Sequence, residues 1–293
     1  MATSTTTTIP SGAGTRSAAL LTLGSIVSVQ CGSALATTLF DEIGSAGAVL
    51  LRALFGALVL LALTRAAPLR QWPHRDMILL GISVAAVNLL FYAALERLPL
   101  GITVTLEFVG PLGVAVFGSR RPRDVIWVLL AAAGIVLLSG GAGGESIDPL
   151  GVGLALAAGL FWAAYIVQSA RVGRLGPGMG GATMAAMISA VLVAPFGLAD
   201  GGGALLDPAV LAAGLGIGIL STAIPYAAEI EALRRLPQAV FGVLMSLEPA
   251  VAAAIGFVAL SQDLAPVEVV AIGFVVVASA GALRSAASSP HDI

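Results

Sequence analysis

Residues 97–111, RLPLGITVTLEFVGP, recur later in the chain as residues 235–249, RLPQAVFGVLMSLEP. In both copies Arg-Leu-Pro opens an apolar helix, the second proline follows the first at the same spacing, and a glutamate stands shortly before it. Proline is accepted at a helix start, whereas inside a helix it removes one ladder hydrogen bond and kinks the rod. The repeat therefore predicts a chain of two halves.

The first copy holds Glu107 among Leu, Val, Ile, Thr, Gly and Phe. A carboxylate in hydrocarbon is costly, so by default it marks a functional site and faces a bundle interior.

Composition says what surrounds it. Of 293 residues, 58% are hydrophobic and only 10% charged, where a soluble domain carries about a quarter charged residues. The chain reads as an all-α integral membrane protein with the lipid bilayer as its solvent. Every basic residue is arginine, the net charge is -2, and no basic patch occurs, which excludes nucleic acid as a partner. Cys31 stands alone, so it forms no intramolecular disulfide and reads as a small apolar residue of the first span.

Apolar runs long enough to cross a bilayer, roughly 20 residues, are expected at 18–40, 46–64, 77–95, 100–117, 125–139, 150–170, 182–198, 209–228, 239–260 and 267–283. Ser33-Ala34-Leu35-Ala36 resembles a signal-peptidase site, but the run around it exceeds a usual h-region, so it reads as an uncleaved first span. Residues 1–17 and 285–293 are expected to be unstructured cytoplasmic tails flanking halves at 18–140 and 150–284.

Orientation follows from counting Arg in the short loops. With both termini in the cytoplasm, every arginine falls inside except Arg52 and Arg97, and Asp41, Glu42, Glu96, Glu145, Asp148, Asp200, Asp207 and Asp263 fall outside. Five spans separate the equivalent helices, and an odd number reverses direction. The predicted architecture is ten transmembrane helices in a 5+5 inverted-topology repeat, the arrangement typical of secondary transporters. A channel, membrane enzyme or scaffold shares such symmetry less often, and fold alone does not give function.

Two blocks carry a resemblance: residues 99–127, PLGITVTLEFVGPLGVAVFGSRRPRDVIW, and 220–251, LSTAIPYAAEIEALRRLPQAVFGVLMSLEPAV. They resemble the EamA family of the drug/metabolite transporter superfamily. SRRP after LEFxGP, and LSTAxPY before RLP, are most similar to the bacterial inner-membrane exporters of threonine and homoserine. The similarity also takes in Asn88–Tyr92 (NLLFY) and residues 161–165 (FWAAY), and omits only the tails. The family resemblance implies ten helices, two repeats, cytoplasmic termini, and export of small solutes coupled to protons, and the nearer likeness makes small neutral amino acids the expected cargo.

An exported amino acid brings an ammonium, a carboxylate and, in these two cases, a hydroxyl. Glu107 is the candidate for the ammonium or the coupling proton, with a structural ion pair to Arg52 as the alternative. Arg52, inside the second span, is the candidate for the carboxylate, against an ion-pairing or snorkelling role. Glu248, beside Pro249, reads as substrate contact or as a helix-terminus or gate residue. Asn88, Tyr92, Thr103, Tyr165 and Tyr226, with Thr105, Gln168 and Thr222, are candidates to line a cavity, each weighed against an interhelical hydrogen bond. Glu229 and Glu231 rank lower, near the cytoplasmic end of span eight.

His74 and His291 both fall outside spans, no His, Asp and Glu group has metal-ligand spacing, and no P-loop lysine is present. No metal, no cofactor and no ATP-driven mechanism are therefore expected. The alternatives are export of another small metabolite or a cationic drug, and a non-transporting membrane protein; oligomeric state has no signal.

Overall fold

The computed structural model describes residues 12–65, 74–119, 122–139, 147–175 and 179–287, and among these every regular element is helical. The helices are α1 (Gly12–Thr37), α2 (Phe40–Leu63), α3 (Arg75–Leu95), α4 (Leu100–Glu107), α5 (Val109–Ser119), α6 (Val125–Ser139), α7 (Pro149–Gly173), α8 (Gly180–Gly201), α9 (Pro208–Gly218), α10 (Ile224–Arg235), α11 (Gln238–Met245), α12 (Glu248–Leu260) and α13 (Pro266–Ala287). A π-helical turn, Ile219–Ala223, joins α9 to α10.

Among the described residues, nine stretches are long and apolar enough to cross a membrane. The remaining apolar helix, α6, has 15 residues, about 22 Å at 1.5 Å per residue, short of the roughly 30 Å hydrocarbon core.

The two repeated blocks break at matching places, and the second proline explains both breaks. Pro111 has no N–H to give the Glu107 carbonyl four residues back, and the helix turns at Phe108, ending α4 and starting α5. Pro249 likewise leaves the Met245 carbonyl, and the chain turns at Ser246 and Leu247 between α11 and α12. Pro225 does this in a third place. Ile224 donates five residues back to Ile219 within the π turn. The next donor would be Pro225, so the Leu220 carbonyl is met instead by the Ser28 hydroxyl of α1 at 2.7 Å.

Large apolar side chains such as Phe117, Leu160, Val191 and Val258 point outward, a surface suited to lipid rather than water. Small residues stand where helices cross closely, as expected where hydrophobicity does not drive one helix onto another. A Cβ on Gly101 would lie 2.6 Å from the Ala253 Cα, so α4 and α12 meet almost backbone to backbone.

One end of the bundle is tied by polar contacts. Gly44 bends α2 with φ 67°, and past the bend the freed N–H groups of Ser45 and Ala46 donate to Glu96 (3.1 Å) and Asp200 (3.1 Å). Gln262 accepts from the Leu100 N–H at the start of α4 (2.9 Å), and Arg97 pairs with Asp148 at 3.8 Å.

Three expectations about boundaries are corrected. Gly12 to Ser17 belong to α1 rather than to an unstructured tail, and Arg235 donates to the Ser17 hydroxyl at 3.1 Å. Residues 285–287 extend α13. The eighth span continues to Arg235, not Ala228. In each case intrahelical hydrogen bonds let the rod continue past the apolar core, which hydropathy alone does not register. Residues 1–11 and 288–293, with Arg70, Arg120, Arg121 and Glu145, lie outside the described residues.

Candidate functional site

A cavity of about 1000 Å³ runs through the bundle interior. Its wall extends from Ser33, Arg52 and Asn88 past Glu107 and Trp162 to Thr64, Met77, Leu175 and Met179. It thus reaches the end of the bundle opposite the Gly44, Asp200 and Gln262 contacts.

Of the residues expected to bind, Arg52, Glu107, Asn88, Tyr165, Tyr226 and Glu248 all line this one cavity. Glu107 is the last residue of α4 and Glu248 the first of α12, so each helix break delivers a carboxylate to the wall. The Glu107 side chain makes no hydrogen bond or ion pair with any described residue. Its backbone carbonyl, released by Pro111, faces α7 at Gly159, where a Cβ would come within 2.6 Å of the oxygen.

The structural ion pair between Glu107 and Arg52 does not form. Arg52 Nη1 instead donates to the Tyr92 hydroxyl at 3.2 Å, with the guanidinium carbon 5.6 Å from the Tyr92 ring centroid. Tyr92 is wedged between Phe40 and Phe91, centroids 5.9 and 5.8 Å away, and has no exposed surface. It holds Arg52 in place from behind the wall and is not part of the wall itself.

Thr103 is corrected. Its side chain is fully buried and its hydroxyl donates to the Pro99 carbonyl at 3.0 Å on its own helix, away from the cavity. Thr105 does the same to Gly101. Threonine in a helix often satisfies itself on the preceding turn, which is why spacing from Glu107 misplaced both. Gln168 contacts Arg171 at 3.4 Å and is also off the wall, whereas Thr222 is on it. Asn88 lines the cavity with its amide held by the Val84 carbonyl at 2.7 Å.

Sequence reasoning missed one member, Gln30, and ranked another, Glu229, too low. Glu229 lines the cavity and accepts from Ser25 at 2.6 Å; it ranked low because the eighth span was ended too early. Gln30 of α1 donates from Nε2 to Glu248 Oε1 at 3.0 Å. The signal was an uncharged but strongly polar residue in the middle of an apolar run, the kind that faces protein or a cavity.

The wall thus carries three carboxylates, Glu107, Glu229 and Glu248, and one guanidinium, Arg52. The aromatic rings of Trp162, Tyr165 and Tyr226 stand among them, Trp162 edge-on to Phe108 at 5.1 Å. Such a site suits a small molecule with a cationic group, and Arg52 adds a place for an anionic one. Among the described residues no group of three or more His, Cys, Asp or Glu is arranged to hold a metal.

Residues 149–284 match the family model described as the EamA-like transporter family. The chain is 42% identical over 268 residues to the threonine/homoserine exporter RhtA of Escherichia coli K12, covering 89% of this chain and 90% of that one. It is 41% identical over 278 residues to the protein of that name in Salmonella typhimurium, covering 93% of both. It is 26% identical over 251 residues to the uncharacterized transporter YwfM of Bacillus subtilis, covering 80% and 84%. A crystal structure sharing 20% identity superposes with a TM-score of 0.65 over 90% of this chain and 96% of that one, a likeness of fold.

Proposed function

Because the chain belongs to the EamA-like transporter family, we propose that it exports threonine and homoserine from the cytoplasm of a bacterial cell by alternating access, in exchange for protons. One observation carries the reading: 42% identity along nearly the whole chain to an exporter of those two amino acids. The chain is a transporter and not an enzyme.

The site chemistry agrees with a zwitterion. Glu107 takes the ammonium, its side chain having no hydrogen-bond or ion-pair partner among the described residues to give up. Arg52 takes the carboxylate through its planar fork, held in position by Tyr92. The hydroxyl is left to Asn88, Thr222 and the serines of the wall. Each buried polar group of the site that is left unpaired by a wrong ligand disfavours that ligand, so hydroxy amino acids should be preferred over apolar ones.

The ten-crossing, 5+5 reading stands with this proposal. In its support, the helix breaks at Phe108 and at Ser246–Leu247 fall at equivalent points of the two repeated blocks, and α6 presents Ile126, Leu129 and Val136 outward as a lipid-facing helix would. The halves are residues 18–140 and 150–284, with both termini cytoplasmic. In that orientation the cavity reaches the cytoplasmic end, while Glu96, Asp200, Gln262 and the Arg97–Asp148 pair close the outer end. The arrangement fits the state that loads substrate from inside.

A second reading, export of an organic cation, has its own observation: three carboxylates beside aromatic rings. Competition in reconstituted vesicles separates the two. Labelled homoserine transport should be inhibited by threonine and unaffected by quaternary ammonium compounds; the opposite pattern would reject amino-acid export.

A further inference from the structure

Gln30 and Glu248 share one hydrogen bond, and each is left with one oxygen that has no partner. Gln30 Nε2 donates to Glu248 Oε1 at 3.0 Å. Gln30 Oε1 and Glu248 Oε2 are sealed from solvent and accept from no group among the described residues. Both side chains are more than nine-tenths buried, 2% and 7% exposed, and both belong to the cavity wall.

The mismatch is chemical. An ionised carboxylate only accepts, and the amide oxygen only accepts, so an ionised Glu248 can never satisfy Gln30 Oε1, and in the observed arrangement Glu248 Oε2 is left over as well. A single proton removes the conflict. When Glu248 Oε2 gains H⁺, the resulting carboxylic acid can donate to Gln30 Oε1 while Gln30 Nε2 keeps its bond to Oε1, closing a ring of two hydrogen bonds. No other atom has to be supplied.

The charged groups acting on Glu248 are Glu229 from α10, Arg52 from α2 and Glu107 from α4. Gln30 is what α1 presents to it, and α13, which also packs on α12, places no residue on the cavity wall. With three carboxylates and one guanidinium in a low-dielectric interior, the set has a surplus of negative charge that a bound proton offsets.

We propose that the Gln30–Glu248 pair is the site of the coupling proton, leaving Glu107 to the substrate ammonium. The proposal rests on the exporter reading above and adds a division of labour to it. Glu248 and Gln30 lie on the α12 break and on α1, so taking up or losing the ring bond changes how α1 is held to α12. Substrate on Glu107, across the same break motif, acts on α4.

The test uses the full-length protein in vesicles, with two assays on labelled homoserine: exchange without a gradient, and transport driven by a proton gradient. Glu248→Gln replaces the acid by an amide that can still form the ring but cannot titrate. Exchange should persist and gradient-driven transport should be lost. Retained gradient-driven transport overturns the proposal, and so does loss of both activities in a correctly inserted variant. The exchanged pair, Gln30→Glu with Glu248→Gln, keeps one acid and one amide; it should recover gradient-driven transport, and an inserted exchanged pair that exchanges but does not couple also overturns the proposal. Infrared difference spectra of purified protein between low and high pH decide the point without substrate. A carboxylic-acid band present in the wild type and missing in Glu248→Gln supports the pair, and an identical band in both refutes it. A wild type that transports neither amino acid refutes the exporter reading, while the spectra still judge the pair.

Discussion

The carbonyl oxygen of Glu107 stands 2.6 Å from where a Cβ on Gly159 would sit, so α7 closes on the α4 break with nothing to spare. Pro111 creates the free carbonyl and Gly159 accommodates it. Any side chain at residue 159 must push the break, and Glu107 with it. We therefore expect Gly159→Val to destabilise the protein by about 1 to 3 kcal/mol, the usual range for overpacking, and to abolish export. Gly153, on the same helix with nothing within 4 Å of its Cβ position, is the control: Gly153→Val should leave thermal unfolding and export unchanged. Equal effects at the two positions would contradict the docking argument.

Arg52 is expected to matter through its shape as well as its charge. Arg52→Lys keeps the charge and loses the planar fork, so the KM for homoserine should rise while the protein inserts normally. Tyr92→Phe removes the hydroxyl that receives Arg52. The loss of one hydrogen bond, about 0.5 to 1.5 kcal/mol, should appear as a smaller rise in KM. Transport kinetics of the two variants check the order; a larger effect for Tyr92→Phe than for Arg52→Lys would show that Arg52 does not touch substrate.

Thr103 should be silent in transport. Its hydroxyl serves its own helix, so Thr103→Val should lower stability by no more than about 1 kcal/mol and leave KM and rate as they are. A specific loss of homoserine transport would place Thr103 at the substrate after all.

At the opposite end from the cavity mouth, Asp200 caps the Ala46 N–H beyond the Gly44 bend. Asp200→Ala should weaken that closure by about 0.5 to 2 kcal/mol, as loss of a helix cap does. The readout is a cysteine introduced at Ala48, fully buried one turn beyond the bend, with Cys31 replaced by serine. Its labelling by an impermeant reagent from outside should increase in the Asp200→Ala background; unchanged labelling would mean that the carboxylate does not hold that end shut.

Helix positions were legible because each relied on runs of apolar residues and on arginine placement, and the repeated Arg-Leu-Pro blocks pointed to the two breaks. The cavity was legible only in part. Glu107, Arg52 and Glu248 stood out because a charge in an apolar run is rare and needs a reason. Thr103 and Tyr92 looked equivalent to Asn88 and Tyr226, since a one-dimensional spacing gives the helix face but not whether a hydroxyl turns back on its own carbonyl or behind a neighbour. Gln30 went unnoticed because its partner is distant in sequence and only the packing of α1 on α12 joins them. Glu229 was ranked low by a span boundary, because hydropathy stops where charges begin while the helix continues.

The most direct measurement is efflux of labelled homoserine and threonine from loaded vesicles, with and without a proton gradient, for the wild type and Glu107→Gln. The wild type should export both amino acids faster with the gradient, and Glu107→Gln, inserted at the same level, should export neither. Export by the variant at the wild-type rate would contradict the placement of Glu107 at the substrate, and a wild type that moves neither amino acid would contradict the exporter itself.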